Sequence, residues 1–182
     1  MFSFLQKKTK GISPATIIRG EIDSLIVALV GWIPTVLGMT IRNAVYRLLG
    51  MKIKGFCWIQ PGVTIVNLSR LSVGKNFGCN SGTYINAVGG IRMGNDVLIG
   101  SNVTISSGKH EIEGRQTSVF SRPTVPMPII FGNDVWLGAG VSVLPGIQIA
   151  GETVVGANAV ATKSTTPYPV MAGIPARLVR YR

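Results

Sequence analysis

A sequence period of six residues is the feature that most limits how this chain can fold. In six units an apolar residue is followed directly by glycine: VGKNFG from Val73, MGNDVL from Met93, IGSNVT from Ile99, FGNDVW from Phe131, LGAGVS from Leu137 and VGANAV from Val155. The fifth position of each unit is again apolar or small, so each unit offers two inward side chains around one turn. The period therefore predicts short parallel strands joined by similar corners.

The fourth position of the unit predicts where the chain turns. It is filled by residue types that tolerate a positive φ, namely Asn76, Asp96, Asn102, Asp134, Gly140 and Asn158. Looser units that start at Ile59, Cys79, Ile85, Val143 and Ile149 keep the spacing, although Glu152 breaks the corner preference. Three units to a triangular coil predict a mainly β solenoid of about five coils, stacked ~4.8 Å apart.

The first 54 residues lack the repeat and concentrate positive charge. They hold eight of the 18 Lys and Arg residues against two acidic ones, in a chain of net charge +11. The uncharged run 25–41 is interrupted by Gly31, Pro34 and Gly38 and falls short of the ~20 residues of a spanning helix. We expect one or two apolar helices that either cap the solenoid or lie on a membrane face.

Between residues 106 and 128 the repeat lapses into a polar, proline-bearing excursion that holds His110, the single histidine of the chain. Excursions of this length inside a compact domain are usually functional. The predicted organisation is a helical cap over residues 1–54, a solenoid domain over 55–166 with its loop at 106–128, and a closing tail over 167–182.

Cysteine and histidine content excludes several classes of function. Cys57 and Cys79 have no metal-ligand spacing and are too few for a disulfide scaffold, which favours a reducing cytoplasm and no metal. One histidine cannot supply the three ligands of a γ-type carbonic anhydrase. No recognised nucleic-acid motif accompanies the positive charge, and the threonines do not form the stacked ranks of an ice-binding face.

The repeat, the looped-out histidine and the AGIPAR tail together resemble the bacterial hexapeptide-repeat acyltransferases, which include maltose and galactoside O-acetyltransferases. The likeness covers residues 53–182, and the stretch GWIPTVLGMTIRNAVYRLLGMKIKGFCWIQPGVTI is similar to the subgroup that acetylates capsule, colanic-acid or O-antigen sugars. The resemblance implies a left-handed parallel β-helix, a homotrimer with active sites between subunits, and acetyl-CoA as co-substrate.

The resemblance also assigns roles to individual residues. His110 matches the general base, and the chemistry agrees because deprotonating a hydroxyl near neutral pH calls for a base of this type. Asn86 matches an acceptor contact, with a corner-turning asparagine as the alternative. Trp136 should point outward, to a subunit interface or to the substrate. The positions matched to coenzyme contacts are Gly138, Ala139, Ala157, Thr162, Lys163 and Arg177.

Three details of the chemistry stay open in the sequence. Some relatives have serine where this chain has Ala139, so a backbone amide of Gly138 or Ala139 would have to stabilise the oxyanion. Glu111 or Glu113 could orient the imidazole. Lys163 and Arg177 are read as phosphate contacts, with plain surface charges as the alternative.

The predicted function is transfer of an acetyl group from acetyl-CoA to a sugar hydroxyl of a surface polysaccharide or its precursor, without an acyl-enzyme. A xenobiotic or small-sugar acetyltransferase on the same fold is the first alternative, and a non-catalytic β-helical scaffold is the second. The expected location is the cytoplasm, either free or peripheral on the inner face of the cell membrane through residues 1–54. No residue identifies the acceptor sugar.

Overall fold

The computed structural model describes residues 14–182, with side chains described from residue 18 onwards except at residue 19. Two helices, α1 (Pro14–Gly31) and α2 (Thr35–Leu48), precede the strands. The strands are β1 (Lys52–Ile53), β2 (Cys57–Ile59), β3 (Thr64–Val66), β4 (Leu71–Val73), β5 (Phe77–Cys79), β6 (Tyr84–Asn86), β7 (Ile91–Met93), β8 (Val97–Ile99), β9 (Thr104–Ser106), β10 (Gly108–His110), β11 (Thr124–Pro126), β12 (Ile129–Phe131), β13 (Val135–Leu137), β14 (Ser142–Val143), β15 (Gln148–Ile149), β16 (Val154–Val155), β17 (Val160–Ala161), β18 (Pro169–Ala172) and β19 (Arg177–Tyr181). Residues 1–13 of the predicted cap, including Lys7, Lys8 and Lys10, lie outside the described residues.

Successive strands wind through three parallel sheets, which confirms the predicted parallel β-helix. The first sheet has the order β1-β4-β7-β12-β15, the second β2-β5-β8-β13-β16-β18, and the third β3-β6-β9-β14-β17. Five coils are complete, as the repeat predicts, and β18 adds one further rung to the second sheet. The last strand, β19, pairs antiparallel with β18 and ends the stack.

The corners follow the six-residue period. All six residues predicted to turn the chain have a positive φ, between 52° and 71°. Glu152, which breaks the residue preference, also has a positive φ of 59°. The place in the coil therefore imposes this conformation even on a side chain for which it is unfavourable.

The interior of the prism is a column of buried side chains, among them Ile59, Ile99, Leu137 and the two cysteines. Desolvation by burial is the main reason that the pKa of Cys57 is raised to about 11 and that of Cys79 to about 12. Both thiols therefore stay protonated near neutral pH, which makes them poor nucleophiles.

Protection of both thiols is the first testable consequence. Iodoacetamide at pH 8 should leave Cys57 and Cys79 unmodified in the folded protein, because each is buried and its raised pKa keeps the thiolate scarce. Intact-protein mass spectrometry should show two additions after unfolding in urea and none before. Rapid alkylation of the folded protein, with loss of activity, would contradict this assignment.

Helix α2 covers the open edge of the first coil. Its buried face includes Arg42, Asn43 and Tyr46. The Asn43 amide group donates to the Cys57 carbonyl at 2.7 Å and accepts from the Cys57 N–H at 2.8 Å, so it pairs with the edge strand β2 as a neighbouring strand would. Burial raises the pKa of Tyr46 to about 12.

Arg42 joins both helices to the solenoid. Its Nε donates to the Ile59 carbonyl at 3.0 Å, and its Nη1 donates to the carbonyls of Val30 at 3.1 Å and Ile33 at 2.7 Å. The side chain is fully buried, and desolvation lowers the pKa of its guanidinium. A single side chain therefore satisfies three carbonyls at the junction of α1, α2 and β2.

Removing this junction should destabilise the fold. We expect Arg42→Met to lower the free energy of unfolding by about 3 kcal/mol, because the buried Ile59 carbonyl and the part-buried carbonyls of Val30 and Ile33 lose the guanidinium as a donor. Arg47→Met is the matched control: Arg47 is exposed and donates to one carbonyl, that of Gly55, so the expected loss is within about 1 kcal/mol. Urea unfolding measures both, and equal midpoints for Arg42→Met and the parent protein would refute the role of this junction.

Helix α1 leaves an apolar stripe uncovered. Ile18, Ile22, Leu25 and Leu29 follow a helical spacing, and each is more than half exposed. Trp32, Val36 and Leu37 continue the exposed apolar surface around the turn into α2. We call these seven residues the apolar stripe. None of the helices within residues 14–182 has the length and hydropathy needed to cross a membrane.

Candidate functional site

His110 lies on a hairpin that leaves the solenoid after β9 and returns at β12. Strands β10 and β11 pair antiparallel, and His110 is opposite Thr124. Its side chain is exposed and makes no hydrogen bond to any of residues 14–182. The imidazole is therefore free to meet a substrate.

The base of the hairpin is fixed to the coil below by Ser107, which is fully buried. Its N–H and hydroxyl both donate to the Asn86 carbonyl, at 2.9 and 3.0 Å, and the hydroxyl accepts from the Gly89 N–H at 2.8 Å. The Ser107 carbonyl accepts from the N–H of Met127, which directly follows β11, at 2.7 Å. The hairpin therefore starts from a rigid foundation, three residues before His110.

The tip of the hairpin is organised by Arg122. Its guanidinium donates to the carbonyls of Glu113, Gly114 and Thr117. The Glu111 carboxylate accepts from the Glu113 N–H at 3.1 Å, and neither glutamate is hydrogen-bonded to His110. The hypothesis that one of them orients the imidazole thus stays a prediction. Nothing in the periodic pattern could have indicated the role of Arg122, because the loop has no repeat.

Asn86 lies at the end of β6, directly beneath the hairpin. Its side-chain oxygen accepts from Asn67 Nδ2 at 2.9 Å and from the Val88 N–H at 3.1 Å. These contacts are those of a residue that shapes the corner, which was the alternative interpretation of the sequence. The side-chain NH₂ group has no acceptor among residues 14–182 and is the part of Asn86 that an acceptor substrate could use.

Trp136 points outward from the second sheet, as the alternation in β13 predicts, and is 52% exposed. Parallel register aligns it with Leu98 and Gly78 on the coils below, and Trp58 completes the row. Trp58 and Leu98 are exposed to a similar degree. We call Trp58, Leu98 and Trp136 the apolar row; it lies on a different face from the hairpin.

The two candidate oxyanion amides differ in their partners. The Gly138 N–H donates to the Val155 carbonyl at 2.8 Å and is part of the coil-to-coil ladder. No acceptor among residues 14–182 is assigned to the Ala139 N–H, and the Ala139 side chain is exposed. Of the two amides that the sequence left open, that of Ala139 is thus the one available to a ligand.

The Ala157 amide occupies the same corner as the Ala139 amide, one coil further on. It too has no assigned acceptor, and the Asn158 N–H donates to the Ala139 carbonyl at 2.8 Å, which links the two corners. A Cβ at Gly138 would lie 2.7 Å from the Ala157 nitrogen, so the backbones approach closely here. The corner between the second and third sheets therefore presents successive amides without bulky side chains.

A cleft of about 390 Å³ lies at the C-terminal end of the solenoid. Thr162, Lys163 and Arg177 line it together with Ser164, Thr165 and Leu178. Three of the six residues that the resemblance matched to the coenzyme are thus brought together, with two cations and the hydroxyl groups of Thr162 and Ser164 available to phosphate oxygens. We call this the end cleft.

The hairpin with His110, the corner with Ala139 and Ala157, and the end cleft do not meet at one point of a single chain. The hairpin emerges where the third sheet passes to the first, whereas Ala139 and Ala157 lie where the second sheet passes to the third. The end cleft is lined by residues that follow β17 and by residues of β18 and β19. No group of three or more His, Cys, Asp or Glu side chains able to hold a metal occurs within residues 14–182.

The chain is similar in sequence to acetyltransferases of sugars and of polysaccharide biosynthesis. No protein-family model matches the chain. It is 33% identical over 123 residues to galactoside O-acetyltransferase of Escherichia coli K12, covering 68% of this chain and 60% of that protein. It is 30% identical over 151 residues to WcaF of the same strain, whose name assigns it to colanic acid biosynthesis as an acetyltransferase, covering 83% and 80%.

A solved structure matches most of the chain. Galactoside acetyltransferase in complex with coenzyme A superposes with a TM-score of 0.83 at 25% identity, covering 94% of this chain and 84% of that one. The solenoid is thus the left-handed parallel β-helix that the sequence predicts. Since this chain spans 60% of the length of the galactoside O-acetyltransferase that it matches by sequence, the comparisons fix fold and kinship rather than activity.

Proposed function

Because the chain belongs to the hexapeptide-repeat O-acetyltransferase family, we propose that it transfers the acetyl group of acetyl-CoA to a sugar hydroxyl of a surface polysaccharide or its precursor. The observation that carries this proposal is the position and exposure of the His110 imidazole. The chain's single histidine stands on an anchored hairpin, with its imidazole exposed and unpartnered among residues 14–182.

The chemistry needs one base and one oxyanion donor. A neutral His110 imidazole removes the proton from the acceptor hydroxyl as its oxygen attacks the thioester carbonyl of acetyl-CoA. The oxyanion that forms accepts the Ala139 N–H. When the intermediate collapses, the C–S bond breaks, the imidazolium returns its proton to the coenzyme A thiolate, and the acetyl ester remains on the sugar. The buried, protonated cysteines take no part, which agrees with direct transfer.

The residues of the corner and the end cleft suit the two ends of coenzyme A. Small side chains at Gly138, Ala139 and Ala157 let the pantetheine arm approach the backbone amides. Lys163 and Arg177 in the end cleft supply positive charge for the phosphates. Both lie in or beyond the fifth coil, so the thioester end of the arm would be directed toward Ala139.

A homotrimer would bring the separated parts together. The hairpin and the Ala139 corner lie at different edges of the prism. In our proposal each site therefore takes its hairpin from one copy and its Ala139 corner from the neighbouring copy. A closed ring of three copies uses the same two different surfaces at every interface. Burial of the apolar row on the second sheet, which is half exposed in one chain, would stabilise such a ring.

The apolar stripe supports a peripheral contact with the cytoplasmic face of the membrane. A helix that exposes one apolar face, in a segment rich in Lys and Arg, is suited to the interface of an anionic bilayer. Such a contact would bring the enzyme to a lipid-linked acceptor. Asn86 and Trp136 stay assigned to the acceptor in this proposal.

Vesicle binding tests the membrane contact. The double variant Ile22→Glu/Leu29→Glu should reduce co-sedimentation with vesicles of phosphatidylglycerol and phosphatidylcholine by at least about tenfold, because two carboxylates enter the stripe. Val179→Glu, an exposed apolar position on β19, is the control and should bind like the parent protein. Unchanged sedimentation of the double variant would refute the contact.

A panel of acceptors tests the function. Coenzyme A release from acetyl-CoA should depend on an added sugar, and mass spectrometry should show an ester-linked acetyl group on that sugar. The panel should include free sugars, surface glycans, lipid-linked precursors and a hydroxyl-bearing antibiotic. Turnover with the antibiotic alone would favour the xenobiotic alternative, and no turnover with any acceptor would favour a scaffold.

A further inference from the structure

A second cleft, of about 320 Å³, opens on the outer face of the first sheet and is not used by the proposed reaction. Its polar lining comes from Lys52, Ser69, Arg70, Ser72 and Arg92. It spans the first four coils, whereas the end cleft lies in and beyond the fifth coil. We call it the basic cleft.

The strand register sets the spacing of the charges. Ser72 is the partner of Lys52 on one side and of Arg92 on the other, so the two cations stand on alternate rungs. With rungs ~4.8 Å apart, their Cα atoms are about 10 Å apart and both side chains point outward. Arg70 reaches the same cleft from the preceding corner, where one of its guanidinium nitrogens donates to the Val88 carbonyl.

No acidic side chain balances these three cations. None lines the basic cleft, and within residues 14–182 the one ion pair joins Arg182 to Asp134 at the edge between the first and second sheets. The side chains of Lys52 and Arg92 make no hydrogen bonds to the described residues, and the same holds for the hydroxyls of Ser69 and Ser72. The cleft thus combines unpaired positive charge with free hydroxyl donors.

We propose that the basic cleft binds the diphosphate group of the acceptor, an assignment that rests on the proposed acetyl transfer for its biological meaning. Three cations exceed what one carboxylate neutralises, whereas a diphosphate carries charge on two adjacent phosphoryl groups. Guanidinium groups bind such oxygens in pairs. The acceptor is therefore a sugar carried on a diphosphate, either linked to a lipid or as a nucleoside diphosphate sugar.

The position of the cleft is consistent with this role. Gly89, Gly90 and Pro128 line one side of it, and the Gly89 N–H is hydrogen-bonded to Ser107 at the base of the hairpin that carries His110. The other end begins at Lys52, four residues after α2. The diphosphate would thus be held between the hairpin and the helical cap.

Binding of inorganic pyrophosphate tests the site without relying on activity. Titration calorimetry is done with saturating coenzyme A, so that the end cleft is filled. Lys52→Gln/Arg92→Gln should weaken pyrophosphate binding by at least about tenfold. The control Lys54→Gln/Lys75→Gln removes two exposed cations from the first two coils but outside the cleft, and should leave binding within about twofold. Equal weakening in both variants, or no binding by the parent protein, would overturn the assignment.

Acceptor kinetics then identify the source of the diphosphate. The Lys52→Gln/Arg92→Gln variant should raise the KM for a diphosphate-linked sugar and leave the KM for the same free sugar unchanged. A rise confined to a polyprenyl diphosphate sugar in vesicles indicates the lipid source, and a rise confined to a nucleoside diphosphate sugar indicates the soluble one.

A nucleic-acid ligand is the outcome that would overturn the proposal. If a duplex oligonucleotide binds the basic cleft more tightly than pyrophosphate does, the cleft is a nucleic-acid site. If no acceptor turns over, the proposed function fails while the calorimetry still decides the site.

Discussion

His110→Ala is expected to reduce acetyl transfer by about 10²-fold or more, the usual contribution of a general base. The chain has no second histidine, and both cysteines are buried and protonated, so no other group of this type can replace it. The rate should be measured under saturating acetyl-CoA as release of coenzyme A that depends on the sugar. Because the imidazole makes no hydrogen bond to residues 14–182, the thermal midpoint should not change.

Two glutamate variants refine this result. If Glu111 or Glu113 orients the imidazole in the complex, Glu111→Gln or Glu113→Gln should lower kcat with little change in KM. Thr124→Ala, opposite His110 in the hairpin, is the control for local disturbance. A His110→Ala protein that keeps its fold and the parent rate would refute the assignment of the base.

Ala139→Pro is expected to lower kcat by about 10²- to 10³-fold, the effect of losing one oxyanion donor. Proline removes the N–H without requiring a new backbone conformation, because Pro61 occupies the same corner position in the first coil. The substitution therefore removes an amide that the fold does not use.

Ser81→Pro is the matched control for Ala139→Pro. Ser81 occupies this corner in the second coil, and its N–H likewise has no assigned acceptor. An unpaired amide at this corner is thus a general property of the coil, and what distinguishes Ala139 is its position next to the Ala157 corner. Loss of the donor should lower kcat with the affinity for coenzyme A retained, whereas a purely steric effect of the proline ring would weaken coenzyme A binding and contradict the oxyanion role.

The periodic part of the molecule could be predicted from sequence because each position repeats its environment. The glycine and asparagine positions predicted the corners, and the apolar positions predicted the buried columns. Glu152 shows the limit of residue preference, since the coils above and below hold it in the same positive-φ corner. Handedness could not be derived from a period of six and came from the family resemblance.

The non-periodic contacts could not be predicted in this way. Arg42 was counted as one cation among many, and its three carbonyl partners come from α1, the turn after it and β2. The basic cleft was missed for a similar reason: Lys52 and Arg92 are 40 residues apart, and strand register makes them neighbours. The side-chain oxygen of Asn86 makes contacts of the kind that the corner interpretation predicts, whereas its contact with the acceptor stays a prediction.

Complementation tests most directly whether His110 and Ala139 act in one site formed between neighbouring copies. His110→Ala and Ala139→Pro chains, each inactive alone, should be co-expressed in equal amounts and purified as mixed trimers by separate tags. A site that takes its histidine from one copy and its amide from the next is intact at one of the three interfaces in every mixed trimer, so about a third of the parent activity should return. Activity that stays at the level of the separate variants would contradict a shared site and place the two groups within one chain or in different reactions.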